Sequence, residues 1–266
     1  MKKALSVLLT LGLVIGLGSC SSFQTIKGDG NLVTEEIDIN SYDAIELAGG
    51  TMKVFYVQSE EAAGLTVTVD RNILDKFRFE TKNNRLRIRP EKEYQQAHFR
   101  PTEFTVRTNS NDLQKLGVAG NVNFLVNSPL ITEKLEIEVS GSGEINLNDT
   151  VRLERLSLSL AGSGTLNAPA FYGGTFSAHI AGSGKINLGG VAQKSSFEIA
   201  GSGTVRAFDL QVEEAKCQIA GSGDMEISVS GKIDLEVAGS GHVKYKGNPS
   251  KINQQVAGSG SIKKVE

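Results

Sequence analysis

A four-residue phrase, Ala-Gly-Ser-Gly or Ser-Gly-Ser-Gly, returns through the second half of the chain. Its Gly-Ser-Gly core begins at Gly141, Gly162, Gly182, Gly201, Gly221, Gly239 and Gly258. The spacings are 21, 20, 19, 20, 18 and 17 residues. A period near 20 with short apolar alternation on both sides marks a solenoid, in which each unit buries its apolar face only against its neighbours.

Around each phrase the apolar residues alternate. One repeat has Leu135, Ile137 and Val139 before the phrase and Ile145 and Leu147 after it; another has Ile233, Leu235, Val237, then Val243 and Tyr245. Period two means strands with one buried face. Val139, Gly141, Gly143 and Ile145 share a parity, so the glycines fall on the core side, where the chain bends and a Cβ has no room. The serines take the other parity and should stack as an outer ladder: Ser142, Ser163, Ser183, Ser202, Ser222, Ser240 and Ser259.

A strand–helix–strand unit needs about 30 residues or more, and a propeller blade about 40. A repeat near 20 suits one coil of two or three short strands, each paired with its counterpart in the next coil. The expectation is an all-β, single-domain, right-handed parallel β-helix, since crossovers between parallel strands are strongly right-handed.

The chain opens with Lys2 and Lys3, an apolar run from Ala4 to Leu17, and small residues, which read as an export signal over 1–19. The apolar run is too short to span a bilayer as a helix. Leu17-Gly18-Ser19-Cys20 resembles the lipobox of bacterial lipoproteins, which makes Cys20 the lipid-modified first residue of the mature chain. Acyl chains contribute about 0.8 kcal/mol per buried CH₂, so several on one residue anchor firmly. Ser21 follows, not the aspartate that favours inner-membrane retention in the enterobacterial rule, so the expected address is the outer membrane of the cell envelope. Residues 20–31 read as the lipidated end and its tether. With Cys20 lipidated, Cys217 is left without a disulfide partner in one mature chain, and its parity with Ala215 and Ile219 makes it a small core residue. The formal net charge of −2 argues against a nucleic-acid partner.

Residues 32–116 alternate in the same way without the punctuation. Leu47-Ala48-Gly49-Gly50 and Gly117-Val118-Ala119-Gly120-Asn121 read as degenerate rungs, the second 21 residues ahead of its counterpart and the start of the rung region 117–266. Lys82-Asn83-Asn84 and Asn109-Ser110-Asn111 read as turns, and Asn72 to Asp75 as one helical turn.

Gly28-Asp29-Gly30-Asn31, Tyr42-Asp43-Ala44-Ile45-Glu46-Leu47, the segment from Leu65 to Leu74, Leu86-Arg87-Ile88 and the serial Gly-Ser-Gly rungs together resemble the head GIN domain family. That family occurs largely in exported proteins and lipoproteins of Bacteroidota and carries an adhesin label. The resemblance implies a right-handed β-helix over residues 32–266 and supplies no catalytic residues. It also gives weight to Asp149-Thr150-Val151, which fits the Asp-Ser/Thr-apolar pattern of O-glycosylation at Thr150 in exported proteins of that phylum.

The outer ladders are where chemistry would sit. Glu138, Ser159, His179, Glu198, Gln218, Glu236 and Gln255 occupy one outward position, so His179 and Glu198 should pair. A metal needs three or four converging ligands, and His98 and His242 lie elsewhere. Asn123, Asn146, Asn167 and Asn187 recur after four successive rungs and should bond amide to amide. A phosphate loop would need a following helix and a Lys-Ser or Lys-Thr pair; a calcium-binding β-roll would need an Asp in each turn. Neither pattern is present, and no cofactor motif appears. Arg85, Arg87 and Arg89 form a basic strip facing one way, with Leu86 and Ile88 facing the other. The strip suits an acidic glycan or a lipid phosphate, or is simply a solvated strand face.

These features point to a non-enzymatic envelope lipoprotein that presents a rigid ladder surface for adhesion or scaffolding. Its expected partners are the membrane through the lipid, a glycan or an envelope protein, and a second copy held weakly through the C-terminal rung. The competing reading is a polysaccharide-binding or polysaccharide-cleaving β-helix.

Overall fold

The computed structural model describes residues 24–266. Strand accounts for 72% of the described residues and helix for 3%, in a β-solenoid of about 8 turns. Cys20 and the export segment 1–19 lie outside the described residues.

Each full coil has three strand segments. In the coil of Thr165–Gly182, Thr165 to Ala168 form the segment after one phrase, the chain turns through Pro169 and Ala170, and Phe171 to Gly173 form the next. Thr175 to Gly182 then lead into the following phrase. Successive coils pair parallel and in register: Gly120, Gly141, Gly162, Gly182, Gly201, Gly221, Gly239 and Gly258 stack directly on one another. All of these glycines have positive φ.

The core is a set of columns. Val139, Leu160, Ile180, Ile199, Ile219 and Val237 form one of them, each at most 2% exposed. Adjacent columns trade volume. Phe176 stacks over Ser195 while Ala178 stacks over Phe197, so the two rings occupy neighbouring columns with centroids 5.5 Å apart. Cys217 is fully buried among them, and burial pushes its thiol up to about 12.

The degenerate rungs complete the stack. Strand Ala44–Gln58 pairs along one edge with Lys115–Val126, Ala48 opposite Ala119. Its other edge takes Arg85–Pro90 and then Phe104–Ser110. Beyond them the pairing turns antiparallel. Leu65–Asp70 runs against both Leu32–Glu36 and Phe104–Ser110, and Phe77–Lys82 forms a hairpin with Arg85–Pro90. The hairpin turns at Asn83 and Asn84, with φ of 52° and 55°, the double left-handed turn that suits the twist of paired strands. These strands close the N-terminal end of the stack over Phe77, Phe99 and Phe104, whose rings meet edge to face. Among the described residues, helix is limited to one α-turn, Arg71–Leu74, and one 3-10 turn, Lys92–Tyr94.

Candidate functional site

The face built from the segments before each phrase carries the outward ladder in unbroken register from Glu138 through Ser159, His179, Glu198, Gln218 and Glu236 to Gln255. His179 Nδ1 lies 3.4 Å from Glu198 Oε2, and Gln218 Nε2 donates to Glu236 at 2.8 Å. Next to this column runs a flat one of Ala161, Ala181, Ala200, Ala220 and Ala238, ending at the exposed corner serines. The strand backbone holds every one of these side chains, so the face is rigid and its chemistry mixed: small, hydroxyl, amide, imidazole and carboxylate.

At the N-terminal end of this face every arginine of the basic strip is ion-paired, three cations sharing two carboxylates. Arg85 and Arg87 both ion-pair with Glu46, Arg87 at 2.8 Å, and Arg89 pairs with Glu80 at 2.8 Å. The sequence analysis identified the arginines but not these partners. Glu46 holds the outward parity of a degenerate rung, which was the available signal. In the next coil Lys115 bridges Glu138 at 2.7 Å and Glu136 at 3.4 Å. The Glu138 hydrogen bond holds the Lys115 ammonium above its ordinary value, and Lys115 holds the Glu138 carboxyl below its own. Gly117 fills the ladder position between Glu46 and Glu138. It leaves an open groove of about 480 Å³ floored by small residues.

The asparagine ladder lies on the adjoining face. Asn146 donates to Asn123 at 3.2 Å, Asn167 to Asn146 at 2.7 Å and Asn187 to Asn167 at 2.7 Å. Asn123 is two residues out of column, since it pairs with Glu144, yet its amide still reaches. All three bonds run the same way along the stack, each Nδ2 donating to the Oδ1 of the preceding coil.

Thr150 sits half-buried in the turn before Val151, its N–H donating to Asp149 Oδ1 at 2.6 Å and its carbonyl accepting from Leu130. Among the described residues no three His, Cys, Asp or Glu side chains converge as metal ligands would. His242 contacts Ser261 at 3.0 Å, well apart in the stack from His179.

At the far end, strand Lys251–Gly258 is exposed along its whole length. Ile252 and Val256 continue the core columns of Ile233 and Val237, and each is 43% exposed. Gln254 continues the column of Leu235 and Cys217.

Asp70 is fully buried, with no neighbouring cation. It accepts from Gly30 N–H at 2.8 Å and Thr102 N–H at 2.7 Å. Gly28 passes so close that a Cβ there would strike the Asp70 carboxylate. This explains the Gly-Asp-Gly-Asn motif as a structural clamp.

Among known proteins, the family model described as "Putative auto-transporter adhesin, head GIN domain" matches residues 41–169 and again 136–249. A solved structure from Parabacteroides distasonis, titled a "putative lipid binding protein", is 35% identical, covers 91% of this chain and 100% of its own, and superposes with a TM-score of 0.87. A "putative adhesin" from the same species is 31% identical over the same shares, with a TM-score of 0.84. One from Parabacteroides merdae is 29% identical, also over 91% and 100%, with a TM-score of 0.82. No curated protein matches the chain. The repeated rungs, the Asp70 clamp under the glycine motif and a family model matched twice along one stack have a common reading: this chain belongs to the head GIN domain family.

Proposed function

We propose that this protein is a non-enzymatic module of the cell envelope, held in the outer membrane by lipid on Cys20, whose solenoid faces serve adhesion or envelope scaffolding. The observation that carries this is the unbroken register of outward side chains from Glu138 to Gln255. Such a face is already ordered before it meets a partner, so binding loses little conformational entropy. Along it Glu138 pairs with Lys115, Glu198 faces His179 and Glu236 accepts from Gln218, which leaves an ordered polar surface suited to recognition. The adhesin description of the family and of two of the three Parabacteroides structures agrees with this reading.

Two features belong to the same proposal. Thr150, half-buried in the turn after Asp149, is the O-glycan acceptor. The end strand Lys251–Gly258 is the surface for weak self-association, because it offers a row of backbone donors and acceptors beside uncovered Ile252 and Val256.

The anchor is tested with Cys20→Ala. The variant should lose acyl labelling and appear outside the membrane fraction, and normal labelling and retention would overturn the anchor. Binding is tested by crosslinking and pulldown on intact cells. Envelope partners should be recovered with the wild-type chain, and turnover of a glycan by the purified protein would overturn the non-enzymatic reading.

A further inference from the structure

The middle segments of the coils, Phe171 to Gly173 in the coil described above, form a third face unlike the other two. Its outward column runs in register from Ile131 through Arg152, Tyr172, Val191, Gln211 and Ser228 to Lys246. Of the seven large apolar side chains exposed among the described residues, three stand in this one column: Ile131, Tyr172 and Val191. The ladder face with His179 has none. Cations are fixed over the aromatic rings here. The Arg152 guanidinium lies 5.4 Å from the Tyr172 ring centre, and Lys246 Nζ lies 4.8 Å from that of Phe208. Ser228 Oγ donates to the Phe208 carbonyl at 2.6 Å, which ties the two coils together beneath that ring. Beside this column is an open groove of about 650 Å³, bordered by Val191, Phe208, Gln211, Ser228, Lys246 and Asn248.

We infer that this third face is a carbohydrate-binding site for a chain of pyranose units. The inference rests on the reading of the protein as a binding module and gives that module its ligand class. A pyranose has an apolar C–H face and a rim of hydroxyls. The groove and its column match both, with ring and aliphatic surface from Phe208 and Val191 in the groove and from Tyr172 one coil further along the column, and neutral amides and a hydroxyl from Gln211, Asn248 and Ser228. Four coil steps separate Tyr172 from Lys246, roughly 19 Å at about 4.8 Å per strand spacing. That is the reach of a short oligosaccharide and more than one sugar fills. An acyl chain fits poorly, because the groove is open and its column turns polar at Gln211 and Ser228, so nothing encloses a hydrocarbon tail. Arg152 stands near one end of the column and Lys246 at the other, where Lys264 Nζ also donates to Asn248 Oδ1 at 2.7 Å, and Glu213 lies on the groove rim. Each cation already has a partner, Arg152 in the Tyr172 ring, Lys246 in the Phe208 ring and Lys264 in Asn248, so the contacts left to a ligand are chiefly neutral.

The test uses the mature chain on an array of neutral hexose and N-acetylhexosamine oligosaccharides of four to six units. Wild type should bind at least one such class. Tyr172→Ala and Gln211→Ala, both exposed outward positions, should each weaken that binding about tenfold or more with unchanged melting temperature. His179→Ala on the ladder face should bind as wild type. No binding to any oligosaccharide, or binding that survives both third-face substitutions, overturns the inference. So does binding only to phosphatidylglycerol vesicles that Tyr172→Ala abolishes. Failure here leaves the Cys20 anchor result standing, and failure of the anchor leaves array binding standing, so the two readings fall separately.

Discussion

Within the Gly-Ser-Gly phrase, the two glycines avoid different clashes. A Cβ on Gly201 would lie 2.5 Å from the Gly182 carbonyl oxygen of the coil before it, and φ there is +131°. A Cβ on Gly203 would instead meet Ile180 Cγ2 at 2.8 Å in the core. Parity places both glycines inward, but only the second borders the apolar columns; the first is where two backbones close on each other. Gly201→Val should therefore cost at least about 1–3 kcal/mol, from overpacking and a strained φ together. Ser202→Ala, at the exposed position between them, should be nearly silent. Thermal melts of both check this, and equal shifts would mean the parity is reversed. Asp70 makes a second residue-scale prediction. Burial alone would raise its carboxyl, but the hydrogen bonds from Thr102 and Gly30 outweigh burial and hold it below its ordinary value. A depressed pKa contributes stability above the unfolded value of about 3.9, and that contribution is lost as pH falls through the folded value. Asp70→Asn should cost about 1.5–3 kcal/mol near neutral pH. In denaturant titrations at pH 7 and pH 3, its deficit against wild type should shrink at the lower pH.

A coil is the smallest unit with a complete core layer, and its composition shows how neighbouring layers compensate. Phe176 and Phe197 fill adjacent columns, and their stacking partners Ser195 and Ala178 are small. Ser195 is 4% exposed, and its Oγ makes no hydrogen bond among the described residues. A buried hydroxyl without a partner costs about 1–3 kcal/mol relative to one that has a partner. Ser195→Ala should thus raise the melting temperature, while Ser195→Leu should lower it by crowding Phe176. A drop in stability for the alanine variant would show that the hydroxyl is satisfied after all. The asparagine ladder gains by the opposite route. Each interior amide donates to the coil before it and accepts from the coil after it, so the interior members of the stack are satisfied along its length.

For the whole molecule, the two ends of the stack differ. The first is closed by antiparallel strands and the Phe77, Phe99 and Phe104 cluster. At the last, Ile252 and Val256 are left open beside a single charged side chain within the edge strand, Lys251. A solenoid propagates by adding one coil to the next, so an open coil is also a template for a second chain. Light scattering should show weak, concentration-dependent dimerisation that is lost on deleting Gly258 to Glu266. Val256→Lys, which keeps the strand and charges its edge, should abolish it too. A monomer at every concentration, unchanged by either variant, would remove the self-association reading.

Much of this was legible without coordinates. The period near 20 and the parity of Val139, Gly141 and Gly143 determined a parallel β-solenoid and assigned inward and outward sides, because both follow from local repetition. The register of the Glu138 to Gln255 ladder and the asparagine stack followed from the same arithmetic. What only the tertiary structure decided lay between segments with no fixed spacing. Glu46 reaches Arg85 and Arg87 across about forty residues, and Asp70 binds Gly30 and Thr102 across similar separations. The third face was hidden for a related reason. The turns around it vary in length from coil to coil, with register shifts at Ala168/Phe171, Asn187/Gly189 and Ala207/Gln211. Counting forward from the glycine phrase gives 11 residues to Arg152, 10 to Tyr172 and Gln211, 9 to Val191 and 7 to Ser228 and Lys246, so it does not set the whole column in register; backbone pairing across the coils does.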